Sequence, residues 1–281
     1  MAKVFNGRRR DPVERVTGEA GRALVFQHLT VEHPGWLGHL LEAAGMELVT
    51  VELDEGDGVP ALEGFDLLIV MGGPMDVWDE DRFPWMGPEK AAIRRWVAEL
   101  DRPFLGVCLG HQLLADALGG EVAPMEASEV GVARLEMTLA ATDDPLFSLA
   151  PRMIEGLQWH SAEVTRLPPH STVLAINAAC AVQAFRVGRQ AWGVQFHVEV
   201  LADTVALWTA VPAYRSALER TGVDGEWLAS AVADRLGAMT DVAVLLAARL
   251  LVLVDQDRSG RARVRSAAGA VRRGPEPARR A

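Results

Sequence analysis

Two short and almost wholly apolar segments constrain the fold of this chain most. Residues 65–71 read FDLLIVM and run into Gly72-Gly73-Pro74, and residues 104–107 read FLGV and run into Cys108. Apolar runs of this length are typical of strands buried on both faces of a parallel sheet. Together with the other segments that show strand or helix spacing, they predict an α/β fold with a mostly parallel central sheet flanked by helices. Those segments are strand-like residues 23–28 and 47–53 and helix-like residues 36–44 and 88–100.

The rest of the chain divides into segments of different character. The middle third predicts antiparallel additions to the sheet, because short strand-like segments are separated there by turns. The pattern of residues 203–254 predicts a helical extension that is broken near residues 222–225. Residues 1–21 are predicted to form a flexible leader, and residues 255–281 a basic disordered tail. The main domain is then residues 22–202. The middle strand candidates are residues 131–138, 154–159, 172–177, 180–186 and 190–196.

Composition excludes several classes of function. A net charge of -10 disfavours non-specific binding of nucleic acid. Two cysteines are too few for a disulfide framework, which favours a reducing, cytoplasmic setting. They also lack the C-x-x-C spacing of a metal site, and no metal or other cofactor is expected. The N-terminus lacks the apolar segment of a signal peptide. Residues 242–254, the most apolar stretch, are too few to span a bilayer and include Arg249, so no membrane role is expected.

The segment around Cys108 has the pattern of a nucleophile elbow. An apolar strand runs into a tight turn that carries Cys108, and a helix-like segment follows at once. Gly106 and Gly110 remove side chains that would crowd such a turn. The N-terminus of the following helix directs partial positive charge at the sulfur and favours the thiolate. By contrast, Cys180 lies in a strand-like apolar segment and is expected to be a buried hydrophobic residue.

A base and an orienting acid are available at the end of another strand-like segment, GVQFHVE. His197 and Glu199 are two residues apart, so in a strand their side chains point to the same face. Glu199 is then able to hold one imidazole nitrogen while the other faces Cys108. The backbone N–H groups of Leu109 and Gly73 are the candidate donors of an oxyanion hole.

These motifs together identify a family resemblance. Residues 72–85 (GGPMDVWDEDRFPW), 108–120 (CLGHQLLADALGG), 144–147 (DPLF) and 157–168 (LQWHSAEVTRLP) resemble, in the same order, the class I (triad-type) glutamine amidotransferases. The chain is most similar to stand-alone proteins like the glutaminase half of GMP synthetase, from about residue 23 to residue 201. The resemblance implies a flavodoxin-like class I amidotransferase fold.

The resemblance also implies a reaction. Cys108 is expected to attack the side-chain amide of glutamine, to form a γ-glutamyl thioester and to release ammonia, with His197 as acid and base and Glu199 fixing the histidine. Gln112 matches a position that contacts the substrate, and His160 and Ser161 match a stretch that holds its α-amino and carboxylate end. One departure is that Val198 stands where the family commonly has proline.

Alternatives to this interpretation remain open at this stage. The chain lacks the S-G-G-x-D-S loop of an ATP-pyrophosphatase domain and any Walker loop, so the ammonia is expected to go to a separate synthetase subunit. A γ-glutamyl peptide or amide hydrolase on the same fold is the second hypothesis, and a wider pocket beside Cys108 would favour it. The third is a weakly active regulatory module that binds a partner through residues 203–254. His28, His33 and His39 are expected in loops or on helix surfaces.

Overall fold

The structure is a computed structural model that describes residues 21–272, with side chains as far as Val264. Residues 1–20 of the predicted leader and residues 273–281 lie outside the described part. Nine strands form one mixed sheet within residues 21–272: β1 (Arg22–Gln27), β2 (Glu47–Glu52), β3 (Leu67–Val70), β4 (Phe104–Val107), β5 (Glu121–Met137), β6 (Met153–Arg166), β7 (Ser171–Ile176), β8 (Ala184–Val187) and β9 (Ala191–Val194). Their order across the sheet is β2-β1-β3-β4-β9-β8-β7-β5-β6.

The first half of the sheet is parallel, as its sequence predicts. Strands β2, β1, β3, β4 and β9 pair in parallel, and β9, β8, β7, β5 and β6 continue the sheet in antiparallel pairs. The residues of β3 and β4 are buried on both faces, which explains why these strands carry no alternation of polar and apolar residues. The predicted fold class, a mostly parallel sheet with antiparallel additions, is confirmed.

Six helices surround the sheet in the described part of the chain: α1 (Gly35–Ala43), α2 (Met86–Arg95), α3 (Leu109–Ala117), α4 (Thr204–Ala210), α5 (Pro212–Thr221) and α6 (Gly225–Arg272). A π-helical turn, Trp96–Leu100, prolongs α2. Gly222 ends α5 in the left-handed region at φ 68°, a conformation that glycine adopts without strain. The predicted break near residues 222–225 is therefore the junction between α5 and α6.

The antiparallel region differs from its predicted bounds. Strands β5 and β6 have 17 and 14 residues and are longer than the predicted segments, because they pair with each other over most of their length despite register shifts. Cys180 is not in a strand. It lies in the turn before β8, where the side-chain oxygen of Asn177 accepts the backbone N–H groups of Ala179 and Cys180.

The C-terminal helices share a hydrophobic core with the sheet. Leu228, Met239, Leu246 and Leu250 of α6 are buried in the cluster that also contains the apolar residues of the central strands. By length and composition, the helix over residues 225–264 is sufficient to cross a membrane, because the apolar stretch at residues 242–254 is only part of a longer apolar helix. In this fold, 44% of the most apolar part of that helix is buried within the protein.

The predicted disorder after residue 254 is corrected for most of that segment. Helix α6 continues to Arg272, and residues 273–281 lie outside the described part. Arg261 extends from this helix and forms an ion pair with Asp66, which directly precedes β3. An arginine-rich composition suggested a solvated tail, but here the long side chains of a helix pair with the sheet domain.

Candidate active site

Cys108 occupies the strained turn that the sequence predicts between a strand and a helix. It lies between β4 and α3 at φ 51° and ψ -102°, and its backbone N–H donates to the carbonyl oxygen of Val194 at 2.8 Å. A Cβ added at Gly106 would lie 2.3 Å from the carbonyl oxygen of Gly110, and one added at Gly110 would lie 2.1 Å from that of Val70. Only glycine fits at these two positions, and the turn holds the sulfur at the carboxyl edge of the parallel strands.

His197 and Glu199 are paired, but not by the geometry of a strand. Strand β9 ends at Val194, and His197 makes only an isolated bridge with Leu157. The Glu199 carboxylate turns back on the loop: its Oε1 lies 2.6 Å from Nδ1 of His197, and its Oε2 accepts the backbone N–H of Val198 at 3.0 Å. The predicted contact exists, while the predicted reason for it was wrong.

Val198 acquires a role from this loop. A proline at this position, as the family resemblance leads one to expect, has no N–H to donate. Val198 supplies that donor to Glu199, so the carboxylate is held by both the imidazole and the backbone. Loss of proline rigidity is offset here by an added hydrogen bond to a charged group.

The environment of His197 favours its protonated form. Burial by itself lowers the pKa of His197, but the charge of Glu199 and hydrogen bonds with Cys108 and Glu199 outweigh it, so the pKa is raised well above its ordinary value. The ring of Trp208, on α4, meets the His197 ring edge-on at 4.8 Å between centroids. An imidazolium held between a carboxylate and a thiol is the arrangement that supports a thiolate nucleophile.

A cavity of about 350 Å³ opens beside Cys108. The residues predicted for the oxyanion hole and for substrate binding, Gly73, Leu109, Gln112, His160 and Ser161, all line it together with Cys108. Gly73 and Leu109 are close neighbours, since a Cβ added at Gly73 would lie 3.0 Å from a methyl carbon of Leu109. Their predicted role as oxyanion donors is compatible with this placement.

The predicted substrate-binding side chains have protein partners of their own. Gln112 donates from Nε2 to the carbonyl oxygen of Ala162 at 3.1 Å and to Oε1 of Gln195 at 3.0 Å, and Gln195 in turn lies 3.6 Å from the sulfur of Cys108. His160 is held between the carbonyl oxygen of Ala162 at 3.0 Å and Glu129 at 3.2 Å. Ser161 is exposed at the cavity wall.

Sequence reasoning missed a second buried carboxylate beside the histidine. Glu32 is 2% exposed, and a Cβ added at Gly72 would lie 2.5 Å from its Oε2 and 3.1 Å from Cε1 of His197. The hydroxyl of Tyr214, on α5, donates to the other oxygen of Glu32. Burial raises the pKa of Glu32, although the charge of His197 and the hydrogen bond from Tyr214 oppose the shift.

One signal for Glu32 was present in the sequence. The segment HLTVE follows β1 directly, and the carboxyl edge of β1 is the edge that carries Cys108. His28 belongs to the same segment and lies in a loop, as expected, but its burial was not foreseen. Its side chain is fully buried and contacts Gly72 and Glu89. The signal for Tyr214 and Trp208 was weaker, since both lie beyond the sheet in the helical extension.

Burial keeps two other titratable side chains near these motifs, His111 and Cys180, in their uncharged forms. Burial lowers the pKa of His111, in α3, to about 3, so this ring stays neutral. Burial raises the pKa of Cys180 to about 12, so its thiol stays protonated. Cys180 therefore behaves as the buried hydrophobic residue that its sequence setting indicates.

Comparison with known families decides the identity of this fold and cavity. The sequence model of the family described as glutamine amidotransferase class-I matches residues 35–205, which include Cys108, His197 and Glu199. The chain belongs to the class-I glutamine amidotransferase family. The predicted family, fold and enzyme class are thereby confirmed, and Trp208 and Tyr214 lie beyond the matched region.

Relatives of this amidotransferase carry more specific names. It is 36% identical over 179 residues to one subunit of the glutamine-hydrolyzing GMP synthase from Halobacterium salinarum, covering 61% of this chain and 88% of that one. It is 42% identical over 106 residues to the corresponding GMP synthase subunit from Methanothermobacter thermautotrophicus, covering 37% of this chain and 55% of that one. A glutamine amidotransferase structure from Thermotoga maritima is 25% identical with a TM-score of 0.73, covering 83% of this chain and 99% of that one.

Proposed function

We propose that this protein hydrolyses the side-chain amide of glutamine through a γ-glutamyl thioester on Cys108. The observation that carries the proposal is the bonded pair of Glu199 and His197 next to Cys108, which lines the wall of a cavity. Cysteine nucleophiles for acyl transfer require a base within hydrogen-bonding reach and an acid that orients that base. Family membership supplies the substrate class that such a site fits.

In the first half of the reaction, the Cys108 thiolate attacks the Cδ carbonyl carbon of glutamine. The carbonyl oxygen takes up negative charge, which the N–H groups of Gly73 and Leu109 stabilise. The imidazolium of His197 gives its proton to the amide nitrogen, the C–N bond breaks and ammonia leaves. The products of this half are the thioester on Cys108 and a neutral His197.

In the second half, His197 removes a proton from a water molecule that attacks the thioester carbon. The C–S bond breaks, glutamate leaves, and Cys108 returns as a thiolate beside the imidazolium of His197. Glu199 stays ionised throughout and stabilises the imidazolium, while the N–H of Val198 holds its second oxygen. The protein is thus regenerated with its charges unchanged.

Two residues of opposite charge in the lining of the cavity support a free amino acid as the substrate. Asp76, after the Gly72-Gly73 turn, and Arg220, on α5, both line the cavity. A zwitterionic α-carbon end presents an ammonium and a carboxylate, which pair with an acid and a guanidinium respectively. We propose that Arg220 binds the α-carboxylate and Asp76 the ammonium, in addition to Ser161.

A γ-glutamyl peptide or amide hydrolase is the second candidate. The observation that favours it is the volume of the cavity, about 350 Å³, which leaves room beside Cys108 for a leaving group larger than ammonia. Both candidates use the same nucleophile, and they differ only in the group expelled in the first half of the reaction.

We further propose that a separate synthetase takes up the ammonia, because the relatives are named as one subunit of a GMP synthase. The two unpaired cysteines fit a reducing compartment, and we propose the cytoplasm.

The third sequence hypothesis, a silent module that docks through residues 203–254, receives less support. Its apolar residues Val242, Leu246, Leu250 and Val254 are buried in the core.

The experiment that tests the proposal measures glutamate and ammonia release from glutamine, and release of the amine from γ-glutamyl dipeptides. Wild type, Cys108→Ala and the matched control Cys180→Ala are compared. We expect release that Cys108→Ala abolishes and Cys180→Ala retains. Release from dipeptides but not from glutamine would select the second candidate. Release that survives Cys108→Ala would refute the nucleophile, and no release from wild type on any of these compounds would refute hydrolysis by the isolated protein.

A further inference from the structure

A buried histidine and a buried glutamate are hydrogen-bonded to each other next to the turn that carries the proposed oxyanion donor. His28, the residue after β1, places its Nδ1 2.9 Å from the carbonyl oxygen of Gly72 and its Nε2 2.8 Å from Oε1 of Glu89, on α2. Both side chains are fully buried. Neither residue touches the substrate cavity, since neither lines it, and the reaction described above does not use them.

The hydrogen-bond acceptors around His28 fix where its protons lie. A carbonyl oxygen only accepts, so Nδ1 must carry a proton and donate it to Gly72. A second proton lies between Nε2 and the Glu89 carboxyl group. Burial by itself lowers the pKa of His28, but the charge and hydrogen bond of Glu89 and the carbonyl of Gly72 outweigh it, so the pKa is raised. Nδ1 therefore donates to Gly72, and the raised pKa favours the form of the ring that donates at both ends.

The ring has little freedom to rotate. The Trp85 side chain stacks on it with centroids 5.3 Å apart and an interplanar angle of 19°. A Cβ added at Gly73 would lie 3.0 Å from Cβ of His28, so the two backbones are in close contact. With one face covered and both nitrogens bonded, His28 is a rigid support for the turn.

The donation to Gly72 has a consequence on the other side of the same peptide group. The carbonyl of Gly72 and the N–H of Gly73 belong to one trans peptide and point in opposite directions. A carbonyl held toward His28 therefore directs the Gly73 N–H away from His28. Gly73 lines the cavity together with Cys108. Two adjacent glycines have no side chains to fix this peptide, which makes an external support necessary.

We propose that His28 and Glu89 are positioning residues that orient the Gly73 N–H as an oxyanion donor. This role deepens the proposed function and rests on it, because a stabilised oxyanion requires acyl transfer at Cys108. The donor matters most in the transition state, when the carbonyl oxygen becomes charged. Loss of the support therefore lowers kcat and leaves KM nearly unchanged.

Two substitutions of His28 separate this role from simple packing. The amide nitrogen of His28→Asn occupies the place of Nδ1 and still donates to Gly72, whereas the amide of His28→Gln reaches the place of Nε2 and loses Gly72. We expect His28→Asn to keep a kcat close to that of wild type. We expect His28→Gln to lose about 10- to 100-fold in kcat, less than is lost when an oxyanion donor is deleted outright.

A substitution of Glu89 tests whether orientation or charge is required. In Glu89→Gln the amide N–H donates to Nε2 of a neutral His28, which leaves the proton on Nδ1 and keeps the bond to Gly72. We expect kcat close to that of wild type between pH 6 and 9. The charged groups that face His28 are Glu89 on α2 and Glu32 on its own segment, and Glu32 is unchanged in this variant.

A measurement on wild type covers the case in which a variant fails to fold. In protein labelled with ¹⁵N-histidine, the His28 ring, assigned by its loss in His28→Asn or His28→Gln, should show a slowly exchanging proton on Nδ1. The absence of this proton signal would overturn the proposal.

An equal fall of kcat in folded His28→Asn and His28→Gln would also overturn the proposal, as would a loss confined to KM. If wild type hydrolyses no γ-glutamyl amide, the proposed function fails and this role fails with it, whereas an active wild type with unaffected variants overturns this role alone.

Discussion

The hydroxyl of Tyr214 donates a hydrogen bond to the buried carboxylate of Glu32. This contact joins α5, which lies beyond the region matched by the family, to the segment after β1 that approaches His197. Trp208 packs on His197 from the same extension. The C-terminal helices are therefore part of the catalytic cavity, and removal of α5 would expose Glu32 and one wall of the cavity.

Tyr214 is the only tyrosine in the sequence, so its ionisation is directly measurable. Burial raises the pKa of Tyr214 well above its ordinary value, and the negative charge of Glu32 adds to the shift. We expect no tyrosinate absorbance in the folded protein near pH 10, where the denatured chain titrates with the ordinary pKa of about 10. An ultraviolet titration of native and denatured protein checks this. Titration of the native protein at the ordinary pH would contradict the burial of this hydroxyl.

Replacement of Glu199 should change the pH dependence of activity in one direction. In Glu199→Gln the loss of the negative charge lowers the pKa of His197, so imidazolium is lost at lower pH. We expect the alkaline limb of the kcat/KM profile to move to lower pH and the maximum to fall by about 10²- to 10⁴-fold. Glu219→Gln, an exposed carboxyl on α5, is the control and should leave the profile unchanged.

The pair of His197 and Glu199 stabilises the folded protein to an extent that depends on pH. Because the folded-state pKa of His197 is raised, its contribution is complete below the unfolded-state pKa of about 6.5 and is lost as pH rises through the folded-state value. Denaturant unfolding of wild type and Glu199→Gln should therefore differ more at pH 6 than at high pH. A difference independent of pH would contradict the assignment.

The two cysteines should differ in reactivity. Cys108 lines the cavity beside an imidazolium, whereas Cys180 is 1% exposed with its pKa raised by burial to about 12. Iodoacetamide at pH 7.5 is expected to alkylate Cys108 alone, as peptide mass spectrometry after a timed exposure would show. Denatured protein should react at both sites. Faster labelling of Cys180 in the folded state would contradict this account.

Two glycines inside helices should respond oppositely to alanine. A Cβ at Gly110 would lie 2.1 Å from the carbonyl oxygen of Val70 in the centre of the sheet, whereas nothing lies within 4 Å of a Cβ at Gly237 in α6. We expect Gly110→Ala to cost about 1–3 kcal/mol or more of unfolding free energy. Gly237→Ala should gain about 0.5–1 kcal/mol. Thermal and denaturant unfolding of both variants provide the test.

The proposed binding of the substrate carboxylate predicts a selective change in affinity. Arg220→Gln removes the guanidinium from the cavity wall, whereas Arg215→Gln removes one from the same helix outside the cavity. We expect KM for glutamine to rise about 10-fold or more in Arg220→Gln with little change in kcat, because the α-carboxylate is bound equally in ground and transition states. Equal kinetics of the two variants would exclude this role.

Much of the site was predictable because it depends on local pattern. The residues around Cys108 predict a strand, a tight turn and a helix, and the turn leaves no space for a side chain at Gly106 or Gly110. The contact of His197 with Glu199 was predicted from strand alternation, yet a loop provides it. A spacing of two residues permits this contact in a strand and in a loop, so the pattern predicted the contact of His197 with Glu199 but not the backbone geometry that forms it.

Other parts of the site were not predictable from local pattern. His28, Glu32 and Glu89 are titratable residues of the kind that usually remain solvated, and nothing in their neighbours indicates full burial. They are buried because adjacent parallel strands bring the segment after β1 against the Gly72-Gly73 turn, and α2 covers both. The helical course of residues 255–272 was missed in the same way, since its pairing with Asp66 crosses most of the chain.

The sequence by itself therefore determined the class of fold and the proposed nucleophile and base, because short-range periodicity and steric limits on a tight turn act within a few residues. Only the tertiary structure decided which distant side chains support that chemistry: Glu32, Tyr214 and Trp208 around His197, and His28 with Glu89 beneath Gly72. The physical reason is that burial and hydrogen bonding of a charged group depend on which segments meet at the edge of the sheet, and that meeting is set by packing of the whole chain.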